Sequence, residues 1–356
     1  MKKLMWLFTI RRRERSIVEK VFTRSLVAYM SKNFTQAIGA LVDGIVIGKA
    51  LGVDAMAAYS LVWPLTLAHT LVGGMLSGGS RNLYAKLAGH GDTGAANHVF
   101  TLAALMSTGL SVVMVVMIFL FLSPVATLLG ARGENAALRP LACQYLAGLI
   151  LGLPFDNAAK VLASYMGIDS DHRRLVLATV AMTATDIVGD IAAITFFQGS
   201  MFALGAATAL GEAVYCGVLA THFLRRDRML HICLKGVTDV REKIKTMFSN
   251  GTPYAVNLLS SVATGVFINL VLSSVAQSAY IAAYGIQRSI SSVVWITYLG
   301  VADTVWVLAS IYYGEEDRKA LIALQNTATR KGIAVCGGTA ILLVFFPRFF
   351  AGIYIG

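Results

Sequence analysis

Asp186 and Asp190 stand four residues apart in the stretch AMTATDIVGDIAAIT. On a helix this spacing stacks both carboxyl groups on one face, about 6 Å apart. The surrounding sequence is apolar over 174–197, long enough to cross a hydrocarbon layer of about 30 Å, which leaves both acids near the middle of the crossing. Two like charges this close in a low dielectric cannot both stay ionised cheaply, so the pair is expected to hold a proton or to share a bound cation. That is the chemistry of a site that exchanges H⁺ or Na⁺; two packing acids hydrogen-bonded to neighbours are the structural alternative. Four more acids lie in apolar stretches: Asp43, Asp156, Glu212 and Asp303. A carboxylate at mid-bilayer depth costs at least about 2.5–3.5 kcal/mol on insertion scales, so each is a candidate for function. Asp43, in ALVDGIVIG, has no obvious local partner, because Lys32 and Lys49 lie where long side chains can reach the interface. Thr208 and Glu212 share a helix face, and a hydroxyl is an ordinary ligand for a hard cation. Glu212 is a possible relay, with a packing role equally open. Asp156 and Lys160 have opposite signs at i, i+4 and read as a structural ion pair. Asp303 and Arg288 are left unassigned. His69 reads as a satisfied interior polar group and His222 as interfacial, and the aromatic and Met residues are given no role.

These side chains need membrane-spanning helices to position them. Of the 356 residues 56% are apolar and only 14% charged, with a mean hydropathy of +0.68. A water-exposed surface usually takes about a quarter of the residues as charged types, so an ordinary soluble globule is excluded. Nucleic-acid binding explains the net charge of +11 poorly. Nine spans are expected, over about 26–51, 55–86, 95–122, 138–166, 174–197, 201–224, 248–275, 279–311 and 327–352. Pro64, Pro154 and Pro253 fall inside spans and would bend them. Cys143, Cys216, Cys233 and Cys336 show no metal-ligand or disulfide pattern. The start MKKLMWLFTI runs into RRRER with no cleavage site, and reads as a basic segment lying on the membrane surface.

The basic residues fix an orientation. With the N-terminus cytoplasmic, 23 of the 30 Lys and Arg residues fall on the cytoplasmic side, eight of them before residue 25 and seven in the polar connection after span six. The chain also repeats weakly at an offset of 225. Ala57-Ala58-Tyr59 meets Ala282-Ala283-Tyr284, and Gly89, Asp92 and Ala95 meet Gly314, Asp317 and Ala320. Six spans separate the copies, so both enter the membrane in the same direction, a parallel transporter repeat.

The segment LVDGIVIGKALGVDAMAAYSLVWPL, the later GGSRNLYAKLAGHGDTGAAN, the Asp186-Ile-Val-Gly-Asp190 pattern with GAAT at 205–208, and AYIAAYGIQRSIS near 279–291 together resemble the MATE (multidrug and toxic-compound extrusion) transporters. The resemblance covers about residues 26–320. It implies that Asp43, Asp190, Thr208 and Asp186, the last standing where the family has an Asn, form the cation site of the N-terminal lobe. It also implies coupling of H⁺ or Na⁺ entry to export of amphipathic, often cationic, organic compounds. The family has twelve helices in two lobes of six, against six plus three here, so the last three helices of the second lobe are unaccounted for.

The resulting expectation is an all-α polytopic membrane protein of about nine helices. It has a basic segment at 1–25, a six-helix lobe at 26–224, a cytoplasmic loop at 225–247 and a partial second lobe at 248–356. The function expected is cation-coupled antiport in the cell membrane, with a small organic cation as substrate, lipid as surroundings, and neither a cofactor nor any metal beyond a possible Na⁺. A lipid-linked oligosaccharide flippase, an inactive truncated transporter, and a membrane prenyltransferase using Asp-x-x-x-Asp to hold Mg²⁺ are the alternatives; otherwise no enzyme is expected.

Overall fold

The computed structural model describes residues 2–129, 131, 133–169, 171–224, 229–233, 239–275 and 278–345, with the backbone alone at 2–16, at 265–293 and at some isolated helical positions. In chain order the helices are α1 (Lys2–Ala50), α2 (Val53–Gly89), α3 (Thr93–Leu120), α4 (Leu122–Leu128), α5 (Arg139–Leu149), α6 (Leu153–Met166), α7 (His172–Phe196), α8 (Met201–Ala220), α9 (Val240–Val275), α10 (Ser278–Gly314) and α11 (Arg318–Phe345). There is no strand among the described residues. Apolar side chains such as Val113, Phe119, Leu120, Val188 and Ile333 remain more than half exposed. That fits helices solvated by lipid, where the backbone must satisfy its own polar groups.

All nine expected spans fall on helices. Five described segments, Thr93–Leu120, His172–Phe196, Met201–Leu224, Val294–Gly314 and Arg318–Phe345, are by themselves long and apolar enough to cross a membrane. Span four is not one straight rod. It breaks between α5 and α6 into segments bent by 49°, with Pro154 in the first turn of α6, where its missing N–H costs no helical bond. Pro253 lies inside α9, whereas the side chains of Pro64, Lys49 and Arg288 lie outside the described residues, as do 225–228, 234–238 and 346–356. The N-terminal segment, expected to lie along the membrane surface, instead continues the first span as one 49-residue helix.

The weak repeat appears in the backbone at one described turn. α2 ends at Gly89 and α10 at Gly314, and α3 begins at Thr93 and α11 at Arg318, each displaced by 225 residues. The shared Asp explains the matched breaks. After Gly89 the chain turns through Gly91, at φ 83°, and Asp92 caps α3 by accepting from Ala95 N at 2.9 Å. Asp317 caps α11 likewise, accepting from Lys319 N and Ala320 N at 3.0 Å. An Asp at this position satisfies N–H groups that have no partner within the helix.

Two compact units result, residues 1–34 with 255–356, and residues 35–254. In the first, Val18, Phe22 and Leu26 of α1 pack with Leu308 of α10 and Ala320 and Leu324 of α11. Asp303, unassigned from sequence, takes Lys32 at 3.6 Å and the Asn33 amide at 3.4 Å. In the second, small residues let backbones touch. A Cβ on Gly205 would lie 2.3 Å from the Tyr145 carbonyl oxygen, and one on Gly148 would lie 2.3 Å from that of Phe202, so α5 and α8 are nearly in backbone contact. Gly189 meets Ala207 in the same way, joining α7 to α8. The polar connection is stitched to α3: the Asn97 side chain donates to Met229 O at 3.1 Å and accepts from His231 N at 3.0 Å, and Thr101 Oγ1 accepts from Cys233 N at 2.9 Å.

The close approach of α5 and α8 gives a contrast. Gly205→Ala should destabilise the protein by about 1–3 kcal/mol, as overpacking does. Gly217→Ala, whose Cβ would meet nothing within 4 Å, should stabilise it by about 0.5–1 kcal/mol through helix propensity. Melting curves of both variants in detergent measure the difference.

Candidate functional site

Five helices of the 35–254 unit bring polar side chains to one place. α1 supplies Asp43, α2 Tyr59, α5 Tyr145, α7 Asp186 and Asp190, and α8 Thr208. α1 reaches α7 through Gly39, whose missing Cβ leaves room for the Thr183 methyl, 3.3 Å from where that Cβ would stand. One turn further along, Asp43 is 9% exposed and Asp190 only 2%, so neither is solvated as a free carboxylate would be.

Asp43 and Asp190 lie within side-chain reach of each other, with Asp186 close by. Two carboxylates have only acceptors, so a direct contact between them would need a proton held between them. Sequence left Asp43 without a neighbour because that neighbour lies on another helix. Thr208 stands near both Asp186 and Tyr145. The Thr208 hydroxyl also lies 3.5 Å from the Leu204 carbonyl. Its single proton therefore has two acceptors, and an ionised Asp186 is the stronger. The Tyr59 ring meets Tyr145 edge-on, with centroids 5.4 Å apart and planes at 73°, and lies within electrostatic reach of all three aspartates. Asp43 Oδ1, Asp186 Oδ1, Asp190 Oδ2 and Thr183 Oγ1 are buried with no hydrogen-bond partner, which in a low dielectric favours binding a proton or a small cation. Among the described residues no three His, Cys, Asp or Glu side chains converge at metal-ligand spacing.

A second polar group in the same unit is built differently. Lys160 donates to Asp156 Oδ2, and His69 Nε2 lies 3.1 Å from the same oxygen. His69 Nδ1 faces Asn157 Nδ2 at 3.5 Å, and Ser107 Oγ donates to the Asn157 carbonyl at 3.1 Å. The ion pair read from sequence is in contact, and His69 is held by it. Glu212 has Oε2 buried without a hydrogen-bond partner and lies within electrostatic reach of Asp156, Lys160 and Asp186. His222, just past the end of α8, is enclosed by protein. It is 0% exposed, with Nε2 2.6 Å from Asp169 and Nδ1 3.0 Å from Asp171.

Residues 29–191 match the MatE family model. The chain is 21% identical over 292 residues to the multidrug export protein MepA of Staphylococcus aureus, covering 82% of this chain and 64% of that protein. It superposes on a MATE structure in complex with MaD5 with a TM-score of 0.87, at 22% identity over 95% of this chain and 76% of that one. An outward-facing multidrug resistance MATE family transporter of the MOP superfamily gives 0.86, at 22% identity over 95% and 74%. The chain is thus similar to MATE transporters, in sequence over 29–191 and in fold over nearly its whole length. It is an integral membrane protein, and it spans less than two thirds of the length of the curated relatives it matches.

The four residues singled out by the resemblance, Asp43, Asp186, Asp190 and Thr208, lie within electrostatic or side-chain reach of one another. Glu212 lies between their group and the Asp156–Lys160 pair in the electrostatic sense. Tyr59 and Tyr145 were missed, since a Tyr in an apolar helix has the same sequence signature whether it packs or donates a hydrogen bond. At the repeat offset, Asp43 corresponds to Ile268, so the second copy carries no acid at this position.

The shared proton and the ion pair are separately testable. Infrared spectra of the protein at neutral pH should show a protonated-carboxyl stretch that Asp43→Asn and Asp190→Asn each reduce; an identical band in both variants would contradict the shared proton. Lys160→Met alone should destabilise by about 3 kcal/mol, because it strands Asp156, while Lys160→Met with Asp156→Leu should recover most of that loss in thermal melts.

Proposed function

We propose that this chain is the carrier portion of a proton-coupled multidrug exporter, with Asp43, Asp186, Asp190 and Thr208 as its coupling site and its N-terminus in the cytoplasm. The observation that carries this is the approach of Asp43 on α1 to Asp190 on α7, two buried acids each with an oxygen that has no hydrogen-bond partner. One proton is all that holds these carboxyl groups together, so its loss sets two buried negative charges against each other and drives α1 from α7. Return of the proton closes the pair again. Proton binding is in this way converted into movement of a helix, which is what alternating access requires.

A proton is favoured over Na⁺ by the donor set. A hard cation of that size needs several oxygens converging on one point, whereas each carboxyl here makes a pairwise contact. The cargo read from the site is a small organic cation with apolar surface. The acids supply negative potential when deprotonated, and Tyr59 and Tyr145 offer ring faces suited to a cation. The similarity to MepA, a multidrug export protein, supports the same reading. A Mg²⁺-dependent transferase would need a second acidic cluster to hold a diphosphate, and no metal-ligand group occurs among the described residues.

Moving one charge through 100 mV supplies about 2.3 kcal/mol, enough to bias such an exchange. Cells expressing the chain should accumulate less of a cationic dye, and a protonophore should remove the difference. Asp43→Asn and Asp190→Asn should each abolish dye efflux while leaving the protein in the membrane at normal amounts. Full efflux in both variants, or efflux that follows a Na⁺ gradient and ignores the protonophore, would refute proton coupling at this pair.

A further inference from the structure

In the unit formed by residues 1–34 and 255–356, α1 and α11 enclose a groove of about 670 Å³ lined by Glu19, Lys20, Thr23, Arg24, Val27 and Lys331. That volume is within the range of small-ligand sites, about 300–1,000 Å³. Lys20, Thr23, Arg24 and Val27 follow one another at i, i+3, i+4 and i+7, so they form a single face of α1. Lys331 approaches from α11, donating to the Thr23 hydroxyl and lying 3.5 Å from Glu19. The one acid of the lining, Glu19, is shared between Lys331 inside the groove and Arg330 outside it, which donates to it at 2.6 Å. The groove therefore presents three cations with a surplus of positive charge.

Its position says what could bring the opposite charge. Polar and basic residues dominate α1 up to Arg24, and SLVAYM begins the apolar run immediately after. Lys20 and Arg24 thus stand at the boundary between headgroup and hydrocarbon. Below them, on the same face, Val27 is 59% exposed and Phe34 38%, giving an acyl chain an apolar track directly under the cations. A soluble anion would use the upper part of this arrangement and leave the apolar track unused.

We propose that this groove is a binding site for an anionic phospholipid, its phosphate held by Lys20, Arg24 and Lys331 and its acyl chain lying along Val27 and Phe34. The site is chemically separate from the aspartate pair of the other unit. Binding is measured without transport, so its failure would leave the coupling reading standing, and the reverse.

The test is a thermal-shift titration of the purified protein in neutral detergent with dioleoyl phosphatidylglycerol, dioleoyl phosphatidylcholine or inorganic phosphate. A saturable stabilisation by phosphatidylglycerol alone is expected. Lys20→Gln with Arg24→Gln should weaken its apparent affinity roughly 30-fold, at about one charge contribution per residue. Glu19→Gln releases Lys331 and Arg330 without removing any groove cation, and should tighten binding about fivefold. It tests the same surplus of charge even if the double variant fails to fold. Equal stabilisation by phosphatidylcholine, an equal effect of inorganic phosphate, or unchanged affinity in both variants would overturn the proposal.

Discussion

A carboxyl group removed from water must find a proton, a cation or a hydrogen-bond donor, and the arrangement of the 35–254 unit follows from how its acids meet that demand. Asp156 has a lysine one turn away and a histidine from another helix. Asp43 and Asp190 have each other. The difference is between a group compensated by fixed charges and one compensated by something that can leave. Lys160 cannot depart from Asp156, whereas any proton held by an aspartate pair can.

Bringing acids from α1 and α7 together depends on how closely the helices around them approach. Lipid gives no hydrophobic force for helices to associate, so contact area and small residues decide. Gly39 admits Thr183, Gly189 admits Ala207, and Gly148 and Gly205 bring α5 and α8 nearly to backbone contact. These approaches bring Tyr145 and Asp186 into the neighbourhood of Thr208. A bulkier residue at any of them would act on the site through helix spacing alone.

The repeat shows how one architecture can serve unequal roles. The second and third helices of each copy meet at the same Asp-capped turn. The chemistry is not copied with them: Asp43 meets Ile268 at the matching position, and the half-buried acid of α10, Asp303, is answered by Lys32 and Asn33. Shared backbone geometry therefore coexists with an ionisable centre whose α1 acid has no counterpart in the second copy.

Much of this was legible in the linear chain, because membrane insertion is read locally. Runs of about 20 apolar residues, the excess of Lys and Arg near their ends and the rarity of acids within them each depend on a short window. They located nine helices, the Asp186 and Asp190 face, and the i, i+4 contact of Asp156 with Lys160. What lies from about 50 to about 270 residues apart in sequence could not be read so. The meeting of Asp43 with Asp190, of His69 with Asp156, of Asp303 with Lys32, and of His222 with Asp169 and Asp171 depends on which helices pack and at what rotation. The sequence by itself determined that acids would be buried in a helical membrane protein; only the tertiary structure decided which of them face a fixed charge and which face another acid, because that choice is made across helix interfaces and not along a helix.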